Sequence, residues 1–196
     1  MKKIYKDVLN KLAKYPERLL HVITVARISE SLAIIHKVDS NKAFLAGLMH
    51  DYAKYNENLF YEKYISNEDL LKYSNEQHLY HAISAANYFK MNYKIQDDLY
   101  DAIKNHVYGK IAMNPILKIL FISDSIYLNG KNNSRYLYKL ATKDLDLAVV
   151  ETIKSNERYL AKKNMQLAKK QIDTLNYYEE LLNGKIKTNT WYIRKY

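Results

Sequence analysis

Cysteine is absent from this 196-residue chain, and glycine and proline are scarce, with four and two residues. The lack of cysteine excludes disulfides and thiolate metal sites, so any bound metal must be held by nitrogen and oxygen. The scarcity of glycine and proline removes the turn residues that many short strands require. Apolar residues make up 48% of the chain and recur at helical spacing. We therefore expect an all-α protein built as a helical bundle.

Long apolar runs are also missing. No segment approaches the roughly 20 residues that cross a membrane, and residues 1–7 lack the apolar core of a signal peptide. We expect a cytoplasmic protein without a membrane partner. The formal net charge is +10, but the lysines are spread along the chain. This pattern favours a solvated surface over a nucleic-acid-binding face. The basic aromatic tail, residues 185–196, has three alternative interpretations: a disordered segment, an oligomer contact or a weak polyanion-binding strip. A homodimer is also left open.

A histidine and an aspartate stand side by side where the apolar helical segment Leu45–Lys54 ends. Such a pair alone is most often a helix end with a surface carboxylate. Adjacent helical residues point about 100° apart, so His50 and Asp51 serve one site only if other helices close around it. The chain offers four further candidates, each on its own predicted helix or at its end: His21, His81, His106 and Asp124.

Helical periodicity turns two of these candidates inward. The helix predicted from Pro16 to about Lys37 places His21 on its apolar face. The helix predicted from Pro115 places Asp124 on its buried face, three, four and seven residues after Phe121, Leu120 and Leu117. A buried carboxylate must be hydrogen-bonded, ion-paired or bound to a metal. An internal salt bridge remains the alternative, but Asp124 is the strongest single indication of a metal site.

Other segments are predicted to support or border the site. Residues 55–76 are polar and rich in tyrosine, with a short helical stretch at most, and we interpret them as a lid or rim. Ser74–Gln77 resembles a capping box for the helix that carries His81. We interpret the helices after about Ser134 as packing support.

The order His21, His50–Asp51, Asp124 resembles the HD superfamily of helical metal-dependent phosphohydrolases. Four further motifs are Leu48–Lys54, His81 at the start of a small-residue helix, Ala102–Lys110 and Met113–Asp124. With these motifs the chain resembles, more narrowly, the YqeK family of symmetrical diadenosine tetraphosphate hydrolases. The resemblance covers about residues 16–180. It implies an HD-type helical bundle as a single domain over residues 1–184, with its core at about 16–130, followed by the 185–196 tail.

The resemblance also implies roles for single residues. One metal is held by His21, His50, Asp51 and Asp124, and a second by Asp51, His81 and His106. The family suggests two iron ions, with manganese as an alternative. Two such cations clamp phosphate oxygens and activate water, so the expected reaction cleaves a dinucleoside polyphosphate to two ADP. Asp51 and Lys54 are the expected catalytic residues, and substrate contacts are expected from Lys54, Gly109 and Lys110.

This chain departs from the family pattern beside the ligands, not at them. Residues 125–131 replace an Ile-Glu-Pro and Arg segment, Ala82 stands for a glycine, and Tyr108–Lys110 for Thr-Gly-Arg. All six ligand positions are intact, so the departures bear on substrate identity. The alternatives are an HD nucleotidase or phosphodiesterase acting on another nucleotide and, from a different class, an inactive helical nucleic-acid-binding or regulatory module.

Overall fold

The computed structural model describes residues 2–55, 58–128 and 130–184, and these are helical without any strand. The all-α prediction is confirmed; the tail at 185–196, with the roles proposed for it, lies outside the described residues. The helices follow in the order α1 (Lys2–Leu12), α2 (Pro16–Ile35), α3 (Ser40–Met49), α4 (Asn58–Tyr64), α5 (Asn67–Lys72), a 3-10 turn (Gln77–Leu79), α6 (Tyr80–Tyr93), α7 (Asp97–Asn105), α8 (Pro115–Leu128), α9 (Gly130–Ala141), α10 (Leu145–Ala161) and α11 (Lys169–Leu182).

Local chemistry explains where the site-bearing helices begin. Pro16 opens α2 in its first turn, where a missing N–H costs nothing. The Asp39 side chain accepts a hydrogen bond from the Lys42 amide at the start of α3. Asn114 caps α8 by accepting from the Leu117 amide at 2.9 Å. The starts of α2 at Pro16 and α8 at Pro115 match the sequence-based predictions.

The capping box predicted at Ser74–Gln77 is wrong. The chain forms the 3-10 turn Gln77–Leu79 there, and α6 begins at Tyr80 without a side-chain cap. The 55–76 segment is also more ordered than its composition suggests, because it contains α4 and α5. It packs through Ile65 onto Leu79 and Ile83, a small cluster beside the main core. Tertiary burial supplies the stability that the local pattern does not reveal.

The helices α2 and α3 cross unusually closely at Gly47. A Cβ built on Gly47 would lie 2.5 Å from the Ala26 Cα of α2, so only glycine permits this approach. The contact fixes α2 against α3, and with it the relative position of His21 and His50. Buried faces of α7 and α8 complete the core around them.

Helix α1 is tied to the segment that follows α3. Asp7 accepts hydrogen bonds from the hydroxyls of Tyr52, Tyr88 and Tyr93 at 3.1, 2.7 and 2.7 Å. Tyr52 directly follows Asp51, so this contact holds the chain at the site. Within the described residues, no helix has the length and apolar character to span a membrane.

Candidate metal centre

Six side chains from five helices converge on one point. They are the six predicted ligands: His21 on α2, His50 and Asp51 at the end of α3, His81 on α6, His106 at the end of α7, and Asp124 on α8. The first five are at most 4% exposed, and the Asp124 side chain is 20% exposed. The structure therefore brings together the full predicted set.

Asp51 lies between two groups of histidines. Its Oδ2 is 3.4 Å from the Nε2 atoms of both His21 and His50. Its Oδ1 is 3.2 Å from Nε2 of His81 and 3.8 Å from Nε2 of His106. One carboxylate thus turns a different oxygen to each group.

Asp124 completes the first group. Its Oδ1 is 3.3 Å from His21 Nε2 and 3.7 Å from His50 Nε2. The two histidines place their Nε2 atoms 3.0 Å apart, and those of His81 and His106 are 3.3 Å apart. Nitrogen and carboxylate oxygens this close together, without sulfur, suit a borderline-to-hard divalent cation.

Hydrogen bonds at the opposite ring nitrogens orient two of the histidines. His50 Nδ1 lies 2.7 Å from the Gly47 carbonyl oxygen, and His106 Nδ1 lies 2.8 Å from that of Ile103. A carbonyl only accepts, so each Nδ1 carries the proton and each Nε2 presents a lone pair to the centre. Metal-binding histidines usually donate the N–H of their second ring nitrogen to a carbonyl or carboxylate in this way.

The His21 ring is oriented by different contacts from those of the His50 and His106 rings. Its Nδ1 has no hydrogen-bond partner among the described residues, and the Tyr127 ring packs edge-on against it with centroids 4.5 Å apart. Asp124 Oδ1 is also buried and lacks a well-formed hydrogen bond within the described part of the chain. A buried carboxylate oxygen facing converging lone pairs fits a bound cation.

Protonation also suits metal binding. Burial, with His50 and His81 nearby, lowers the pKa of His106 to about 3. Burial likewise lowers the pKa of His81. Burial alone would raise the pKa of Asp51, but His50, His21 and His81 outweigh it and hold the pKa well below its usual value. At neutral pH His81 and His106 are therefore neutral and Asp51 is ionised, as metal ligation requires. At His21, burial is outweighed by Asp124 and Asp51, which raise the pKa.

Two cationic side chains adjoin the centre and line the cavity beside it. Arg18 donates from Nη1 to Asp51 Oδ2 at 2.5 Å, and Lys54 Nζ lies 3.5 Å from His81 Nε2. Lys54 was predicted, whereas Arg18 was missed. The signal was present, because Arg18 precedes His21 by three residues and so shares its helix face.

Two other predicted substrate residues lie elsewhere. Lys110 pairs with Asp101 through a 2.8 Å contact, and neither Lys110 nor Gly109 is among the described residues lining the cavity. Gly109 has a φ of +67°, so it serves the turn that follows His106. The structure gives their predicted substrate roles no support; Val107 and Tyr108 line the cavity instead.

The centre opens into a cavity of about 510 Å³. No described residue of the 55–76 segment lines it, so the structure gives the lid interpretation no support. Helices α10 and α11 contribute beyond the packing role predicted for them. Beyond the centre, the wall comprises Phe121, Ser125 and Leu128 of α8, Thr152, Ser155, Asn156 and Tyr159 of α10, and Gln171 of α11.

The fold and the centre together define a helical protein with a His/Asp metal-binding site. Comparison with known proteins agrees, since the HD domain family matches residues 18–129, which include all six side chains. The chain belongs to the HD domain family.

Three relatives share the name symmetrical bis(5'-nucleosyl)-tetraphosphatase. The protein of Halalkalibacterium halodurans is 33% identical over 174 residues, covering 84% of this chain and 89% of the relative. That of Bacillus subtilis is 30% identical over 174 residues, covering 85% and 90%. That of Staphylococcus aureus is 33% identical over 176 residues, covering 84% and 89%.

A crystal structure from Clostridium acetobutylicum shares the fold. That protein is named as a predicted HD superfamily hydrolase involved in NAD metabolism. The two chains superpose with a TM-score of 0.77 at 25% identity, covering 92% of this chain and 97% of the other. The similarity therefore extends through the helices after the HD-matched region.

Proposed function

We propose that the protein hydrolyses diadenosine tetraphosphate symmetrically, giving two ADP. The observation that carries this proposal is the Asp51 carboxylate, which turns one oxygen to each of two histidine groups beside a cavity lined by Arg18 and Lys54. The three relatives that share the symmetrical tetraphosphatase name support this substrate class.

We assign the ligands in two sets that share Asp51. His21, His50, Asp51 and Asp124 hold one divalent cation, and Asp51, His81 and His106 hold the second. We propose iron for both, with manganese as the alternative, because nitrogen and oxygen donors suit either ion. Such cations neutralise phosphate charge and lower the pKa of a bound water, which makes a nucleophile available near neutral pH.

The cationic side chains bind and orient the polyphosphate. Arg18 presents a planar guanidinium that matches phosphate oxygens, and Lys54 adds a compact positive charge beside His81. Symmetrical cleavage adds water across the anhydride between the second and third phosphates. The water oxygen bonds to one of these two phosphorus atoms, and the P–O bond from that phosphorus to the departing ADP breaks. Lys54 stabilises the charge that develops on the leaving ADP.

The test is product analysis with defined metal content. Protein purified without oxygen is incubated with diadenosine tetraphosphate and Fe²⁺ or Mn²⁺, with and without a chelator, and the nucleotides are separated. We expect ADP as the sole product and no turnover with the chelator. ATP with AMP would contradict symmetrical cleavage, and turnover unaffected by the chelator would contradict a metal mechanism.

A substrate panel addresses the alternative nucleotides. The preference for diadenosine tetraphosphate over mononucleotides and cyclic nucleotides should appear in kcat/KM. The inactive-module alternative is disfavoured, because a buried, intact set of six ligands is costly to keep without metal. A cytoplasmic location and a homodimer remain predictions from the sequence.

A further inference from the structure

The face of α10 that borders the cavity carries polar and aromatic side chains. Thr152, Asn156 and Tyr159 follow one another at spacings of four and three residues, so they share a helix face. All three line the cavity, as does Gln171 from α11. A face with only a packing role would carry apolar residues here.

The Thr152 hydroxyl has no hydrogen-bond partner in the part of the chain that the structure describes. Thr152 is 4% exposed, and its Oγ1 is buried without a hydrogen bond to any described residue. Buried hydroxyls are nearly always hydrogen-bonded. An unpaired hydroxyl in a cavity wall is available to hydrogen-bond a polar group of a bound ligand.

The helices that line the cavity contribute polar side chains of two kinds. Its two cationic side chains, Arg18 and Lys54, contact the His/Asp centre. The α10 and α11 side offers two carboxamides, Asn156 and Gln171, and no charged group among the described lining residues. A carboxamide both donates and accepts, which matches the adjacent N6 donor and N7 acceptor of adenine.

An aromatic surface lies next to these amides. Tyr159 is 53% exposed, and the Lys163 ammonium sits 4.4 Å from its ring centroid. Aromatic rings at an open cavity edge provide a stacking surface for nucleobases. Phe121 of α8 adds apolar surface within the cavity.

We propose that Thr152, Asn156, Tyr159 and Gln171 form a nucleobase site that fits adenine, in the same cavity as the phosphate-binding cations Arg18 and Lys54. This site deepens the proposed function and rests on it for the identity of the whole substrate. It assigns substrate selectivity to helices that lie beyond the matched HD region, residues 18–129.

The first test separates binding of the base from binding of phosphate. Calorimetry on the full-length Mn²⁺-loaded protein measures the Kd of ADP and of inorganic pyrophosphate for the wild type, Asn156→Ala and Tyr159→Ala. We expect each variant to bind ADP about tenfold more weakly and to bind pyrophosphate as the wild type does. Tyr136→Ala serves as the control, because Tyr136 is a 58% exposed tyrosine outside the cavity lining.

The outcomes are distinct. Unchanged ADP affinity in both cavity variants would overturn the nucleobase site. Equal weakening for ADP and pyrophosphate would also overturn it, because it would indicate a general change in the cavity. Tyr159 is exposed, so its replacement tests the site even if Asn156→Ala unfolds.

The second test concerns selectivity between bases. Asn156→Asp keeps the side-chain size but leaves only acceptors, which suit the N–H groups of guanine better than N7 of adenine. We expect the ratio of kcat/KM for diadenosine over diguanosine tetraphosphate to fall about tenfold, with metal content unchanged. An unchanged ratio would contradict the assignment of Asn156. A wild type that does not cleave diadenosine tetraphosphate would refute the proposed function, whereas the ADP and pyrophosphate comparison would still decide the nucleobase site.

Discussion

Asp124 is the proposed ligand with the least support from its own surroundings. Its Oδ1 has no hydrogen bond of good geometry within the described residues, and its closest polar contact is His21 Nε2 at 3.3 Å. Burial raises its pKa, but His21 and His50 outweigh burial and lower it. The carboxylate is therefore ionised and available to a cation.

Replacing this carboxylate tests the first ligand set. Asp124→Ala should lower kcat/KM by more than about 100-fold, since loss of a mere outer-shell partner already costs about 10- to 100-fold. Bound metal, measured by elemental analysis, should fall while the helical circular dichroism persists. Asp97→Ala is the matched control, because that carboxylate is 93% exposed. Full activity in Asp124→Ala would refute the ligand assignment.

Arg18 is expected to act on substrate more than on metal. Arg18→Gln should reduce kcat/KM for diadenosine tetraphosphate about 10- to 100-fold, because hydrogen bonds to charged groups contribute about 1.5–3 kcal/mol. Metal content should stay at the wild-type level. The control is Arg27→Gln on the same helix, where the side chain is 67% exposed. A loss of metal equal to the loss of activity would argue for a structural role instead.

Sequence reasoning named the six side chains that converge at the centre, whereas Lys110, expected to contact substrate, does not line the cavity. Histidines and aspartates on apolar helix faces are recognisable because their burial needs a reason. The position of the Lys110 side chain was harder to predict, because the partner of a long side chain depends on the three-dimensional structure. Here Lys110 pairs with Asp101, nine residues earlier in the chain. Arg18 shares the face of His21, but its contact with Asp51 spans 33 residues.

At the scale of elements, the pairing of α2 with α3 aligns the first ligand set. Gly47→Ala would bring a methyl group 2.5 Å from Ala26 Cα. Overpacking costs about 1–3 kcal/mol and alanine gains roughly 1 kcal/mol in helix propensity, so a net loss of up to about 2 kcal/mol is expected. Urea unfolding measures it, and the apparent Kd for Mn²⁺ should rise in parallel.

Asn41→Ala on the same helix provides the comparison, because Asn41 is exposed. It should leave both stability and Mn²⁺ affinity close to the wild-type values. A Gly47→Ala variant with unchanged Mn²⁺ affinity would show that the α2–α3 distance does not control the centre.

Helix boundaries were predictable where side chains set them locally. Pro16 and Pro115 mark starts that the structure confirms. Helix α4 was not predictable, because its short length depends on burial of Tyr64 and Ile65 against neighbouring elements. Helix α5 has no fully buried residue and begins at a local cap that was missed, the Ser66 side chain, which accepts a hydrogen bond from the Asp69 amide. The wall role of α10 was missed because its periodicity also fits simple packing.

For the whole molecule, metal and folding should be linked. A cation that binds only the folded state adds about 2.7 kcal/mol at 100 times its Kd, or roughly 5–10 °C in Tm for a chain of this size. Chelation should therefore lower Tm, and added Mn²⁺ should restore it. Asp124→Ala should show a smaller response. A Tm that is the same with and without chelator would contradict metal binding by the folded protein.

Deletion of residues 185–196 tests the domain limits. Every described residue that lines the cavity lies at or before Gln171, so kcat for diadenosine tetraphosphate should be unchanged in the shortened chain. Steady-state kinetics check this, with gel filtration to detect any change in oligomeric state. A large loss of kcat would place the tail in the active site.

The shared Asp51 carboxylate has a thermodynamic consequence. In the two-ion arrangement proposed above, the first cation fixes the orientation of Asp51 and changes the local charge that the second cation meets. The two affinities are then coupled, and the coupling factor must be the same whichever half fills first. Loading of the centre is therefore cooperative, positively if orientation dominates and negatively if charge repulsion dominates, and a single Mn²⁺ titration gives the sign.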